Sequence, residues 1–306
     1  MKAKILKNRG ELFVATLVLP SRSEHCLTTS GHNVPCWNNF VIAGTEAKPV
    51  KMNGREMVLI YEDEDARYCR LRCFHPENPD TGAGEQARAV FTAMKAALEK
   101  NGFAFTDTVR TWFTLDNLLE WYPDFNRVRT KFFSENGIFA GLVPASTGIG
   151  GANKYGAALV ADLLAVRPKT SRVTIKALPS PMQPPAANYK SSFSRAVEMG
   201  FATHRILLIS GTASIAPDGQ SAHAGDAARQ IALTMRVVQA LLRSRRMAWN
   251  DLFRGIAYFK DMAARPLFDR YCRKHGLPAF SLAVAQRDIC RRELLFEIEL
   301  DAVKIK

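Results

Sequence analysis

QARAVFTAMKAALEKNGFAFTDTVRTWFTLDN, residues 86–117, and QIALTMRVVQALLRSRRMAWNDLFRGIAYFKD, residues 230–261, align without a gap at an offset of 144 residues (230 − 86). Gln86 falls on Gln230, Leu98 on Leu242, Asp107 on Asp251 and Arg110 on Arg254, with Met94 opposite Val238. In the second copy Ile231, Thr234, Met235, Val238, Leu241 and Leu242 form one stripe at helical spacing. A polar break, WND, then admits the strand LFRGIAYFK. Both copies continue alike, with a second helix around DFNRVRTKFF (124–133) or LFDRYCRKHG (267–276) and a Pro-Ala step in LVPAST (142–147) or GLPAFS (276–281). Each half ends in an apolar strand, GAALVADLLAV (156–166) or LLFEIELDAV (294–303). A duplicated unit of strands and two helices predicts an α+β chain of two domains, each a mixed β-sheet with helices packed on one face.

The 306 residues fit two domains of about 150 each. The Pro- and Ser-rich stretch RPKTSRVTIKALPSPMQPPAANYKSS (167–192) reads as an exposed connector crossing the surface. The boundary is placed near residue 168, giving an N-terminal domain 1–167 and a C-terminal domain 168–306 with the connector at 168–192. LFVATLVLP (12–20) follows Glu11 and is too short for a membrane helix or a signal peptide; it reads as a first buried strand. Six cysteines are too few for a disulfide scaffold in a chain this long, so free thiols in a reducing cytoplasm are expected.

A surplus of +13 (42 basic against 29 acidic residues) attracts anions: nucleic acid, an anionic membrane or a small polycarboxylate. RSRR (243–246) closes a helix, where cations favour the dipole, and this leaves nucleic acid a minor candidate. His25, Cys26, His32 and Cys36, and Cys69, Cys73 and His75, lack any C-x-x-C pair or common zinc spacing, so no metal is expected.

Read as a strand, LLFEIELDAV sends Phe296, Ile298, Leu300 and Ala302 to one face and Leu295, Glu297, Glu299 and Asp301 to the other. The three acids are either a solvated face or a solvated face with one proton donor in it. Aligning the terminal Ala-Val pairs of the two halves puts Val160 opposite Glu297 and Asp162 opposite Glu299, so only the second half has an acid at the 297-type position.

SSFSRAVEM (191–199), ILLISGTASIAPDG (206–219), the Gln230 helix, LFRGIAYFKDM, GLPA and FEIELDAV resemble, in this order, the Rid family (YjgF, or L-PSP) over residues 190–303. The resemblance implies a chorismate-mutase-like α+β unit, trimers around a central barrel, and ligand sites in the clefts between units. The duplicated first half, with RTWFTL, PASTGIGG and the connector, resembles the chorismatases, which pair a degenerate Rid-like domain with a complete one. That resemblance implies a cytoplasmic, cofactor-free enzyme of secondary metabolism, a hydrolase or lyase that removes pyruvate from chorismate to give a hydroxybenzoate or a dihydroxycyclohexadienoate. It also implies self-association as a trimer or an intramolecular pseudo-oligomer, with no membrane partner.

By the same resemblance Glu297 is the acid that protonates the enolpyruvyl ether, and Cys290, seven residues before it, steers the intermediate toward an aromatic product. Gly211 and Thr212 of the SGTAS turn approach a carboxylate, and Ala213 lines the ring pocket. A dicarboxylate also needs cations, and arginine forks suit it. Arg110, Arg127, Arg129, Arg195 and Arg254 are the candidates, with Tyr189 as a hydroxyl donor. Two other readings are kept: a Rid-type 2-imino acid deaminase, and a non-catalytic RNA- or ligand-binding relative. Against deamination, the arginine that deaminating relatives carry after the LPA step is replaced by Phe280, and by Ser146 in the first half, while Phe193 replaces a tyrosine.

Overall fold

The computed structural model describes residues 48–52 and 55–306. The expected strand at 12–20 and the His25, Cys26, His32 and Cys36 group lie outside the described residues. The first half runs β1 (Lys48–Met52), β2 (Arg55–Glu62), β3 (Ala66–Phe74), α1 (Ala83–Lys100), β4 (Thr108–Leu115), α2 (Leu118–Glu135), β5 (Ala145–Gly150) and β6 (Leu159–Pro168). The second repeats that order as β7 (Thr174–Leu178), β8 (Ala196–Gly200), β9 (His204–Ala213), α3 (Ala227–Ser244), β10 (Leu252–Phe259), α4 (Arg265–Lys274), β11 (Ser281–Gln286) and β12 (Phe296–Ile305). The sheets have matching strand orders, β1-β2-β3-β6-β4-β5 and β7-β8-β9-β12-β10-β11. In each, one pair is parallel, β4 with β5 and β10 with β11, as the crossover helices α2 and α4 require.

The aligned residues do the same work in both halves. Gln86 donates to the carbonyls of Pro79 and Thr81, at 2.8 Å each, and accepts from the Ala158 amide at 2.7 Å. Gln230 donates to His223 and Glu293 and accepts from the Leu295 amide at 2.8 Å. Each buried amide thus ties the start of the long helix to the approach of the last central strand. Asp107 and Asp251 accept from the amides of Ala104 and Ala248, at 2.8 Å each, and cap the turn that replaces a helix–strand loop.

Ile231, Met235, Val238, Leu241 and Leu242 pack on Leu207, Ile209, Ile298 and Leu300, so the helical stripe is the core face. In the first half Phe91 packs among Phe113, Phe125, Phe132 and Phe133. The helix-free faces of the two sheets meet each other: Tyr68, Trp112, Leu164 and Val166 share one cluster with Val197, Met199, Ile206, Leu208 and Val303.

Three sequence expectations change. The connector is no loose surface crossing: it supplies β7, paired with β8, and then folds over the cavity described below. In RSRR, Arg245 is spent on buried Glu198, with Nε and Nη2 each 2.7 Å from its carboxylate. Cys69, Cys272 and Cys290 are free, whereas Cys73 is disulfide-bonded. Among the described residues no group of three potential ligands could hold a metal, and no helix is long and apolar enough to cross a membrane.

Replacing Gln230 by Leu strands two carbonyls and an amide in the interior, and should cost about 3 kcal/mol. Urea denaturation checks this; Gln86→Leu should cost about as much if the two residues are equivalent anchors.

Candidate active site

Between the domains lies a cavity of about 1380 Å³. α2 forms one wall, the connector covers it, and β9, β12 and the segment before β12 form the floor. Helical spacing puts Tyr122, Asn126 and Arg129 on one stripe of α2, and all three line the cavity. At 18 residues α2 is much longer than the equivalent 10-residue α4. Tyr189 comes from the connector, Phe193 and Arg195 from the segment just after it, and Gly211, Ala213, Cys290, Arg291 and Glu297 from the rest of the second domain.

Glu297 has a buried carboxyl that makes no hydrogen bond among the described residues. It lies against the backbone of Gly211, where a Cβ would overlap its Oε1. Burial, then the neighbouring Glu299, push it up to about 8, with Arg110 opposing. At neutral pH such a group is a proton donor.

The other two acids of the strand are not solvated, as the sequence suggested; all three are buried. Glu299 accepts from Arg110 Nη2 at 3.0 Å, Trp112 Nε1 at 2.9 Å and Arg254 Nη2 at 2.6 Å. Burial alone would raise its carboxyl, but Arg254 and Arg110 outweigh that and hold it below the usual range. Asp301 accepts from Arg254 Nη1 at 2.7 Å. Two guanidiniums thus face two paired carboxylates, and neither forms an ion pair with Glu297.

Arg110 and Arg254 are therefore revised as substrate-gripping candidates: neither lines the cavity, because the seam between the sheets holds both. Thr212 also falls outside, its hydroxyl turned to the Ser210 carbonyl. Arg127 stands at the exposed rim, paired with Asp124. Arg129 is buried; its Nη2 donates to Asn126 Oδ1 at 2.6 Å, and its Nε has no partner among the described residues. Arg195 directs Nε and Nη2 at the Pro184 carbonyl, and the guanidiniums of Arg195 and Arg291 both lie over the Tyr189 ring, each 5.3 Å from its centroid. Cys290 lines the cavity, and burial, then Glu297, push its thiol up to about 12, so it is neutral. Ser146 is in the wall and Phe280 is not.

A protein named 3-hydroxybenzoate synthase, from Streptomyces hygroscopicus, is 27% identical over 249 residues, which cover 72% of this chain and 70% of that protein. A crystal structure of a chorismatase superposes with a TM-score of 0.67 at 21% identity, covering 83% of this chain and 80% of the other. The fold is chorismatase-like. A Rid-family protein from Yersinia pestis aligns over 42% of this chain and 98% of its own, with a TM-score of 0.33 and 19% identity. No protein-family model matches the chain.

Within this chorismatase-like fold, sequence reading missed Tyr122, Asn126 and Arg291. The signal for the first two was present: polar Tyr122, Asn126 and Arg129 interrupt the apolar face of a helix at i, i+4 and i+7. Arg291 carried none, because only the tertiary fold brings its loop beside Tyr189.

A carboxyl near 8 when folded and near its ordinary value of 4.5 when unfolded binds more protons folded than unfolded between those values. Its contribution to stability is complete below the unfolded value and lost as pH rises through the folded one. Glu297→Gln removes that titration, so the stability of the variant relative to the wild type should grow from pH 5 to pH 8. Denaturation at a series of pH values measures the difference; a constant difference would mean that the carboxyl titrates normally.

Proposed function

We propose that this protein removes pyruvate from chorismate, with Glu297 as the general acid. The observation that carries the reading is a buried carboxyl, pushed up to about 8 and without a hydrogen bond among the described residues, in the floor of a cavity lined by Arg129, Arg195 and Arg291. Chorismate has two carboxylates. Arg129 faces one from α2, and Arg195 and Arg291, with Tyr189 under both, face the other from the second domain. The ring then lies over Gly211 and Ala213.

Glu297 donates its proton to the terminal methylene of the enolpyruvyl ether. The former double-bond carbon becomes an oxocarbenium centre, stabilised by its ether oxygen. Addition of a hydroxyl oxygen and loss of its proton give a ketal-type intermediate, and cleavage of the original ether bond completes the transfer to pyruvate. If water supplies that oxygen, a dihydroxycyclohexadienoate remains. If the neighbouring ring hydroxyl supplies it, a cyclic ketal forms. The bond between that oxygen and its ring carbon then breaks, and the ether-bearing ring carbon loses its proton. Cleavage of the original ether bond releases pyruvate, which keeps the former hydroxyl oxygen, and a hydroxybenzoate, with no net uptake of water. The neutral Cys290 thiol beside Glu297 supports the second course, because a soft, weakly polar wall keeps water from the cation. The relative named 3-hydroxybenzoate synthase supports the same product.

Ser146 in the cavity wall offers no guanidinium at the position where deaminating Rid relatives carry one, so nothing in the site favours the deaminase reading. The engagement of Arg245 by Glu198 likewise weakens the RNA-binding reading.

Incubation with chorismate should release pyruvate, measured with lactate dehydrogenase, and mass spectrometry should show a hydroxybenzoate. Release should fall as pH rises through about 8, because the acid must be protonated. Glu297→Gln should lose about 10³-fold or more in kcat while staying folded. Gly211→Ala, whose methyl displaces the carboxyl, should lose about 10²-fold. Normal turnover by Glu297→Gln would remove it from the mechanism.

A further inference from the structure

We propose that Glu299 is a positioning residue, a fixed negative charge that keeps Glu297 protonated for its reaction, and that the N-terminal domain sets the strength of this effect through Arg110, Trp112 and Thr147. The inference rests on the chorismate reading and extends it to residues that touch no substrate.

Glu297 and Glu299 are two positions apart on the same face of β12, about 7 Å along the strand. Three donors converge on Glu299, two of them guanidiniums, and three such bonds favour the ionised form. Two of the three donors, Arg110 and Trp112, belong to the first domain. Thr147 of β5 completes the arrangement. Its hydroxyl oxygen accepts from Arg110 Nη2, the same nitrogen that donates to Glu299, at 2.7 Å and from the Gly211 amide at 3.1 Å. The same side chain therefore holds both the charge beside Glu297 and the glycine against which the Glu297 carboxyl rests.

The remaining ionisable groups around Glu297 do not supply that charge. Tyr258 of β10 pairs with it across the sheet and is kept neutral by burial. Tyr122 on α2, Cys290 before β12 and Tyr189 of the connector are likewise raised by burial and neutral. Arg110 is the cation that pulls the other way, while Arg129 and Arg291 line the same cavity. Of these groups Glu299 is the charge that pushes toward protonation.

The first half shows the arrangement without its acid. Asp162, at the position of Glu299, is buried 3.5 Å from Arg70 and accepts from the Cys73 amide at 2.6 Å, while Val160 stands where Glu297 would be. The charge-holding position is common to both domains; the acid it acts on is present in one.

The test compares the alkaline limb of pyruvate release in wild type, Glu299→Gln and Arg110→Gln. It is paired with infrared difference titration of the Glu297 carboxyl, assigned by its loss in Glu297→Gln. Removing the anion should move both limb and titration to lower pH by about one unit or more, and removing the opposing cation should move them to higher pH. A merely structural role would lower activity in both variants with no movement, or with movement in one direction; either result overturns the proposal. If Glu299→Gln does not fold, the double variant Glu299→Gln/Arg110→Gln, which removes the ion pair together, decides: a shift of limb and titration to lower pH supports the proposal, and an absent or upward shift overturns it. Should the wild type release no pyruvate at any pH, the chorismate reading fails, and the infrared titration still decides whether Glu299 controls Glu297.

Discussion

Arg110 of one domain and Arg254 of the other close on the same carboxylate, Glu299, in the dry seam between two sheets. A buried charge without partners is severely unfavourable, and removing one member of such a set leaves the rest uncompensated. The domains are consequently not free to rotate or slide past each other. Their fixed relation positions β5 of the first domain against β9 of the second, where Ser146 N bonds Ser210 Oγ at 2.9 Å and Gly211 N bonds Thr147 Oγ1. The cavity between the domains depends on this registration.

The two halves share strand order, helix anchors and caps, yet have diverged in complementary ways. The first domain has given up an acid at Val160 and has a crossover helix, α2, long enough to carry Tyr122, Asn126 and Arg129 into the cavity. The second retains the acid and meets that wall with Tyr189, Arg195 and Arg291. A degenerate copy would ordinarily read as structural support. Here it supplies one wall, one cation and half of the network beside Glu297.

The fold was readable because it was written twice. Gln86 and Gln230, or Asp107 and Asp251, each make a weak signal alone; at a common offset they mark the same anchor and the same cap. The position of Glu297 was readable from strand alternation and from the comparison with Val160. The roles of the arginines were not. Arg110 and Arg254 were candidates because a dicarboxylate needs cations and arginine forks suit it. They are instead the counter-charges of Glu299 and Asp301, a pairing that spans 189 and 45 residues of sequence for Glu299 alone.

Periodicity and internal repetition in the sequence determined the α+β class, the doubled domain, the helical core faces and which face of the last strand bears its acids. These properties are local, fixed by a spacing of 2 or 3.6 residues along the chain. Tertiary structure alone decided that all three acids are buried, that two have guanidinium partners and one has none, and that a loop arginine reaches the cavity. Proton affinity depends on desolvation and on charges a few ångströms away. Those distances are set by how two sheets pack, which no stretch of either strand encodes by itself.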